Sequence, residues 1–296
     1  AWQMSEGRNK LDLEECIAWA TVSGGHACFH VGGTMIEKTV GEKFSKVQPY
    51  FSQYITQIQD DPSIVIFGAG KIGRSFIGQL FGNAGYKLVF IDMDQAIVEG
   101  LNKRGSYPVI IKGPHSEEKV IINHVKAIHA QERNEVVEAI CRADILAISV
   151  GKSALSKVAE VISLGLMERE QRSPGRILDI ILAENMRSAA GFFRTKLKEK
   201  LPASYPLGGQ VGLVETSIGK MVPIMTAKDL GEDPLQVFAE PYNTLILDKK
   251  GFKGEIPPIK EFALKEHMKA WVDRKAFIHN LGHATAAYSG YLQHPD

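Results

Sequence analysis

The sequence predicts an α/β fold: a Rossmann-type, doubly wound, mostly parallel sheet followed by a mainly helical C-terminal domain that is partial within these residues. Three observations predict it. Short apolar runs at 64–67, 88–91, 144–150 and 177–182 alternate with helical patterns. A glycine turn, Gly68-x-Gly70-x-x-Gly73, joins the first run to the first helix. Asp92 closes the second run, nineteen residues after Gly73.

Residues 1–60 read as an N-terminal extension with no assignable function. A short helix is expected at 11–20, turns at Ser23-Gly24-Gly25 and Gly32-Gly33, and a second helix at 44–58. His26, Cys28 and His30 alternate, so a strand would place all three on one face. Metal ligation and a half-buried strand with incidental polar residues are both open there, and no metal is expected at the main site.

Residues 61–206 read as an NAD-binding domain entered through Asp61-Pro62. Gly68 allows the tight turn, Gly70 lets the backbone approach a pyrophosphate, and Gly73 lets helix and strand pack closely. Asp92 is placed to accept hydrogen bonds from an adenosine ribose, and its charge repels a 2′-phosphate, which favours NAD over NADP. A helix at 95–103 ends at Gly105. Strands at 109–111 and 120–128 read as an excursion before a helix at 132–142 returns the chain to the sheet. Gly151 follows the carboxyl end of the 144–150 strand, where ligands of such sheets bind. The expected cofactor-binding residues are therefore Gly68, Ala69, Gly70, Lys71, Ile72, Gly73, Asp92, Val150 and Gly151. After a helix at 154–166, the 177–182 strand runs into Asn185 and a helix at 187–200. Asn185 reads either as that helix's N-cap or as a hydrogen-bond donor at the nicotinamide end of the crevice.

Residues 207–296 read as a substrate and catalytic domain, because the strand–helix alternation breaks down near Pro206. Strands are expected at 210–215 and 245–248, then a long helix from about 265 or 271 to 289. At about 100° per residue, His279, His283 and Asn280 fall near 40°, 80° and 140° from Lys275, all on one side. That face is either a solvated polar surface or a site.

The 296 residues are 44% hydrophobic and 23% charged, with a formal net charge of +1 and scattered Lys and Arg. This balance points away from nucleic acid. No apolar run approaches the roughly 18 residues of a membrane span. Cys16, Cys28 and Cys141 are too few and scattered for a disulfide framework, and the N-terminus lacks a secretory signal pattern, so a cytoplasmic chain is expected.

FGAGKIGRSFIG at 67–78, ENM at 184–186, GFKG at 251–254 and K-x-x-x-x-N-x-x-H at Lys275, Asn280 and His283 occur together in the chain. On these residues, residues 63–296 resemble the polyol-specific long-chain dehydrogenases. The resemblance implies metal-free, NAD-linked oxidation of a secondary alcohol on a sugar alcohol, with mannitol 1-phosphate and fructose 6-phosphate as the expected pair. It makes Lys275 the acid–base, Asn185 and Asn280 donors to the developing alkoxide, and His283 the residue that orients substrate. Arg74, Lys220 and Arg274 are candidate phosphate contacts or solvated surface charges. The family's usual valine–aspartate–arginine is replaced by Ile218-Gly219-Lys220, and the family's helical domain extends further than the residues up to Asp296 supply. A hexuronate reductase, a mannitol 2-dehydrogenase and a non-catalytic dinucleotide-binding protein are the alternatives. The sequence gives no oligomeric state.

Overall fold

Buried side chains along the central strands alternate strictly between two faces, and both faces are covered. Ile64, Ile66, Leu88, Phe90, Ile145 and Ala147 belong to one hydrophobic cluster. Val65, Phe67, Leu146, Ile148, Ile180 and Leu182 belong to another on the opposite side. This is the doubly wound pattern. The computed structural model describes residues 13–28, 37–58, 62–222, 225, 229, 231 and 233–295. The chain divides into two units, residues 1–61 and 62–296.

In the first unit, α1 (Leu13–Ala27) and α2 (Glu42–Ile58) form a helical pair. Trp19 stacks on Phe44 and Phe51, with ring centroids 5.1 and 4.0 Å away. The expected turn at Ser23-Gly24-Gly25 is instead the last part of α1. Two glycines cost a helix roughly 1 kcal/mol each, which aromatic packing between the helices offsets. His26 and Cys28 are at and just beyond the end of α1, so the alternating strand is not formed there. His30 and the expected turn at Gly32-Gly33 lie outside the described residues.

The second unit begins with β1 (Ser63–Phe67), a π-helical turn (Gly73–Gly78) continuing as α3 (Gln79–Asn83), and β2 (Lys87–Asp92). α4 (Gln95–Arg104) is capped by Asp94 and ends at Gly105. There follow β3 (Tyr107–Lys112), β4 (Glu117–Ile122), β5 (Val125–His129), α5 (Arg133–Arg142) and β6 (Ile145–Ile148). The single strand expected at 120–128 is split at His124, whose φ of +57° turns the chain from β4 into β5. α6 (Leu155–Arg172), β7 (Leu178–Leu182), α7 (Ala189–Lys198), α8 (Leu207–Gln210) and β8 (Val211–Ser217) continue the alternation. Ser188, not Asn185, occupies the N-cap of α7. β9 (Val237–Ala239), β10 (Leu245–Asp248), β11 (Phe262–Lys265), α9 (Met268–Arg274), a second π-helical turn (Lys275–Asn280) and α10 (Leu281–Gln293) complete the unit.

The main sheet has the order β11-β10-β8-β7-β6-β1-β2-β5. Its pairs are parallel except β8 with β10. β4, β3 and β9 form a small separate sheet, so the excursion expected at 109–128 is β3–β4 alone. Residue 206 falls within one compact unit, because β8, β10 and β11 extend the sheet begun by β1. The GFKG segment is tied to that sheet. The buried Asp179 carboxylate on β7 accepts the Lys253 and Gly254 N–H groups at 2.8 and 3.0 Å. A Cβ on Gly251 would stand 2.6 Å from the Leu213 carbonyl oxygen, so the loop lies directly on β8.

Candidate active site

Strand order reverses between β1 and β6, and a crevice opens at their carboxyl ends. Gly68 leaves β1 with φ +99°, and a Cβ there would lie 2.5 Å from the Ser149 carbonyl oxygen. A Cβ on Gly73 would collide with the Gly68 carbonyl oxygen, whereas one on Gly70 would meet nothing within 4 Å. Turn and helix are thus locked together while the exposed Gly70 backbone stays open to a ligand. Lys71 is exposed and Ile72 half-buried against the core. Free N–H groups at this helix start favour anionic oxygen, so the residues present fit a dinucleotide pyrophosphate.

Asp92 stands beside the turn. Its Oδ2 accepts the Ala69 N–H at 2.5 Å, and its Oδ1 accepts the Asp94 N–H at 3.0 Å. Each oxygen keeps a second lone pair for a ribose hydroxyl. Val150 and Gly151 both donate their N–H groups to Glu184 Oε1, at 2.8 and 2.9 Å. Any cofactor contact by these two residues therefore falls to other atoms. Glu184 is buried, and burial pushes its carboxyl up while the two N–H donors pull it down. In the sequence Glu184 is only one letter of the ENM motif, because nothing local signals that it bridges β7 to the loop after β6.

Arg74 is not a surface charge or a phosphate contact. It is buried, with Nε donating to the Ala69 carbonyl at 2.7 Å and Nη1 donating to the Leu235 carbonyl. The wide π turn leaves the Arg74 carbonyl to accept the Tyr107 hydroxyl at 2.8 Å. Lys220 is also inside, 6% exposed. Its Nζ donates to Gln79 Oε1 at 3.1 Å and Asn243 Oδ1 at 2.7 Å, and burial pushes its pKa down to about 8.

Lys275 opens the second π turn and lines two adjoining cavities of about 470 and 160 Å³. The smaller is lined by Asn185, Lys275 and Asn280 together. An α-helix would set Asn280 well around from Lys275, but π winding has more residues per turn and brings these two, five apart, closer to one line. Lys275 Nζ donates to Asn185 Oδ1 at 3.5 Å, leaving the Asn185 amide N–H groups as donors. Burial pushes the Lys275 ammonium down from its usual range. His283 lines neither cavity. It is exposed and stands edge-on to His279, 4.6 Å between ring centroids, and it is His279 that lines the larger cavity. Arg274 lines that cavity too, its guanidinium 5.3 Å from the Trp271 ring centroid. Among the described residues no group of three His, Cys, Asp or Glu could hold a metal ion, and no helix is long and apolar enough to cross a membrane.

Residues 62–261 match the family described as mannitol dehydrogenase Rossmann domain. A mannitol-1-phosphate 5-dehydrogenase of Oceanobacillus iheyensis is 36% identical over 230 residues, covering 76% of this chain and 58% of that protein. The enzyme of the same name from Bacillus pumilus is 34% identical over 230 residues, covering 77% and 60%. The chain thus spans about three-fifths of the length of these curated relatives. With its glycine turn, reversed strand order and lysine-bearing C-terminal helix, the chain belongs to the mannitol dehydrogenase family.

Proposed function

We propose that the protein is an NAD-dependent oxidoreductase that interconverts mannitol 1-phosphate and fructose 6-phosphate, with Lys275 as the acid–base. The observation that carries this reading is Lys275 itself. It is an amine with its pKa lowered by burial, at the wall shared by two cavities and in reach of Asn185. A lysine must be neutral to take a proton, and a pKa nearer working pH makes the neutral form available.

Lys275 Nζ takes the proton of the substrate hydroxyl, and returns it in the reverse direction. The amide groups of Asn185 and Asn280 donate hydrogen bonds to the oxygen as negative charge develops, without adding a competing base. His283 lies one helical turn beyond His279 and acts in substrate orientation through that ring. The turn at Gly68, Ala69, Gly70, Lys71, Ile72 and Gly73 holds the pyrophosphate of NAD. Asp92 takes the adenosine ribose, and Val150 and Gly151 flank the crevice. When bound, the nicotinamide supplies the hydride acceptor. The substrate is a small sugar-alcohol phosphate, and the relatives named mannitol-1-phosphate 5-dehydrogenase support that choice.

NADH formation with mannitol 1-phosphate, run beside mannitol and hexuronate-derived acids, tests the reading. Turnover is expected with the phosphate ester, and Lys275→Ala should lower it by at least about 10²-fold while NADH still binds. Near-normal turnover in that variant would remove Lys275 from the chemistry.

A further inference from the structure

We infer that Arg274 is the anion anchor of the larger cavity and holds the phosphate group of a phosphorylated open-chain polyol. The inference rests on the proposed polyol reading and adds to it the place where the charged end of the substrate sits.

Three cations near the site are candidates for that task, and the structure separates them. Arg74 spends its guanidinium on the Ala69 and Leu235 carbonyls inside the cofactor turn. Lys220 is enclosed, with its ammonium on the Gln79 and Asn243 amides. Arg274 alone of the three lines the cavity. It makes no ion pair among the described residues, although its chain neighbour Asp273 pairs with Arg187 at 2.7 Å and Lys269 at 2.8 Å. The Trp271 ring carries its guanidinium, and also the Lys265 ammonium at 4.3 Å from the ring centroid. A guanidinium laid on an indole loses part of its rotational freedom before any ligand arrives, and its donor fork matches phosphate oxygens two at a time. His279 lines the same cavity and supplies a further N–H donor.

The rest of the wall fits the other end of such a ligand. Lys275 follows Arg274 directly, and neighbouring residues on a helical turn project in different directions around its axis. Their charged tips diverge, which leaves several carbons of chain between the anion and the reacting carbinol. Glu240 lines the cavity as well, with Oε1 accepting the Met221 N–H. Its carboxylate accepts polyol hydroxyls and repels an anion, so the phosphate is confined to the Arg274 side. A cavity of about 470 Å³ accommodates a six-carbon phosphate ester.

The test is calorimetric titration of the chain and of Arg274→Gln and Arg274→Lys with mannitol 1-phosphate, mannitol, a hexuronate and inorganic phosphate, with NADH binding measured on each as the folding control. The phosphate ester is expected to bind the unaltered chain more tightly than mannitol or the hexuronate does. Arg274→Gln should weaken it at least tenfold, with inorganic phosphate weakened in parallel. Arg274→Lys should recover part of the affinity, because a point charge replaces the fork. Equal binding of the ester by the unaltered chain and Arg274→Gln, equal binding of ester and mannitol, preference for the hexuronate, or no binding of the ester would each overturn the assignment. Arg274-dependent ester binding with no turnover would instead leave the anchor standing and fail the dehydrogenase reading.

Discussion

Lys220 carries charge where charge is costly, and its consequence is a pH dependence of stability. Its folded pKa of about 8 lies below its ordinary 10.5. Between those values the unfolded chain binds more protons than the folded one, so this residue makes stability rise with pH across that window. Lys220→Met should remove that contribution. In urea unfolding at pH 7.5 and pH 10, the unaltered chain should gain on the variant as pH rises, and parallel behaviour would show that the ammonium is not confined. In the proposed cofactor mode, Asp92 is the corresponding residue for selectivity. Asp92→Ala should weaken NAD binding and relax discrimination against NADP in fluorescence titrations, since the charge facing a 2′-phosphate is gone. Unchanged preference would remove Asp92 from the ribose site. Arg74 and Lys220 were ambiguous in the sequence because an isolated cation carries no local sign of burial. Only the long-range partners Leu235 and Asn243 reveal where they sit.

At the level of elements, what was legible was what is local. The strand, glycine turn, helix, strand and acid from 63 to 92 follow from spacing alone, and the structure reproduces them in that order. The split of 120–128 was hidden because Asn123-His124 makes the turn without glycine or proline. Both π turns were hidden because a 100° periodicity assumes i→i+4 bonding throughout. Those turns fall at the two segments proposed to hold the cofactor and the acid–base, Gly73–Gly78 and Lys275–Asn280. The Glu184 bridge was illegible because its partners are more than thirty residues away. It has its own test. Glu184→Gln keeps an Oε1 acceptor for Val150 and Gly151, whereas Glu184→Ala removes the bridge and leaves both N–H groups without their protein partner. NADH affinity should fall roughly tenfold or more in the alanine variant and far less in the glutamine variant. Equal losses would mean that the carboxylate charge, not the bridge, is what matters.

On the scale of the whole molecule, one sheet carries the crevice at the β1–β6 reversal and the strands leading to the helix that bears Lys275. The expectation of a boundary near 206 came from a real loss of alternation. Residues 233–262 are loop-rich, and β10 runs antiparallel to β8. The sheet nonetheless continues, because pairing between strands does not require a helix between every two of them. The Asp179 tie gives this continuity a dynamic consequence. The Lys253 and Gly254 amides belong to a loop, yet both end on a buried carboxylate in the centre of the sheet. In deuterium exchange they should be protected to nearly the same degree as the amides of β7, exchanging only when the core itself opens. Rapid exchange at those two amides would show that the loop lifts away on its own. Slow exchange would mean that the 253–254 loop and the middle of the sheet share one opening event.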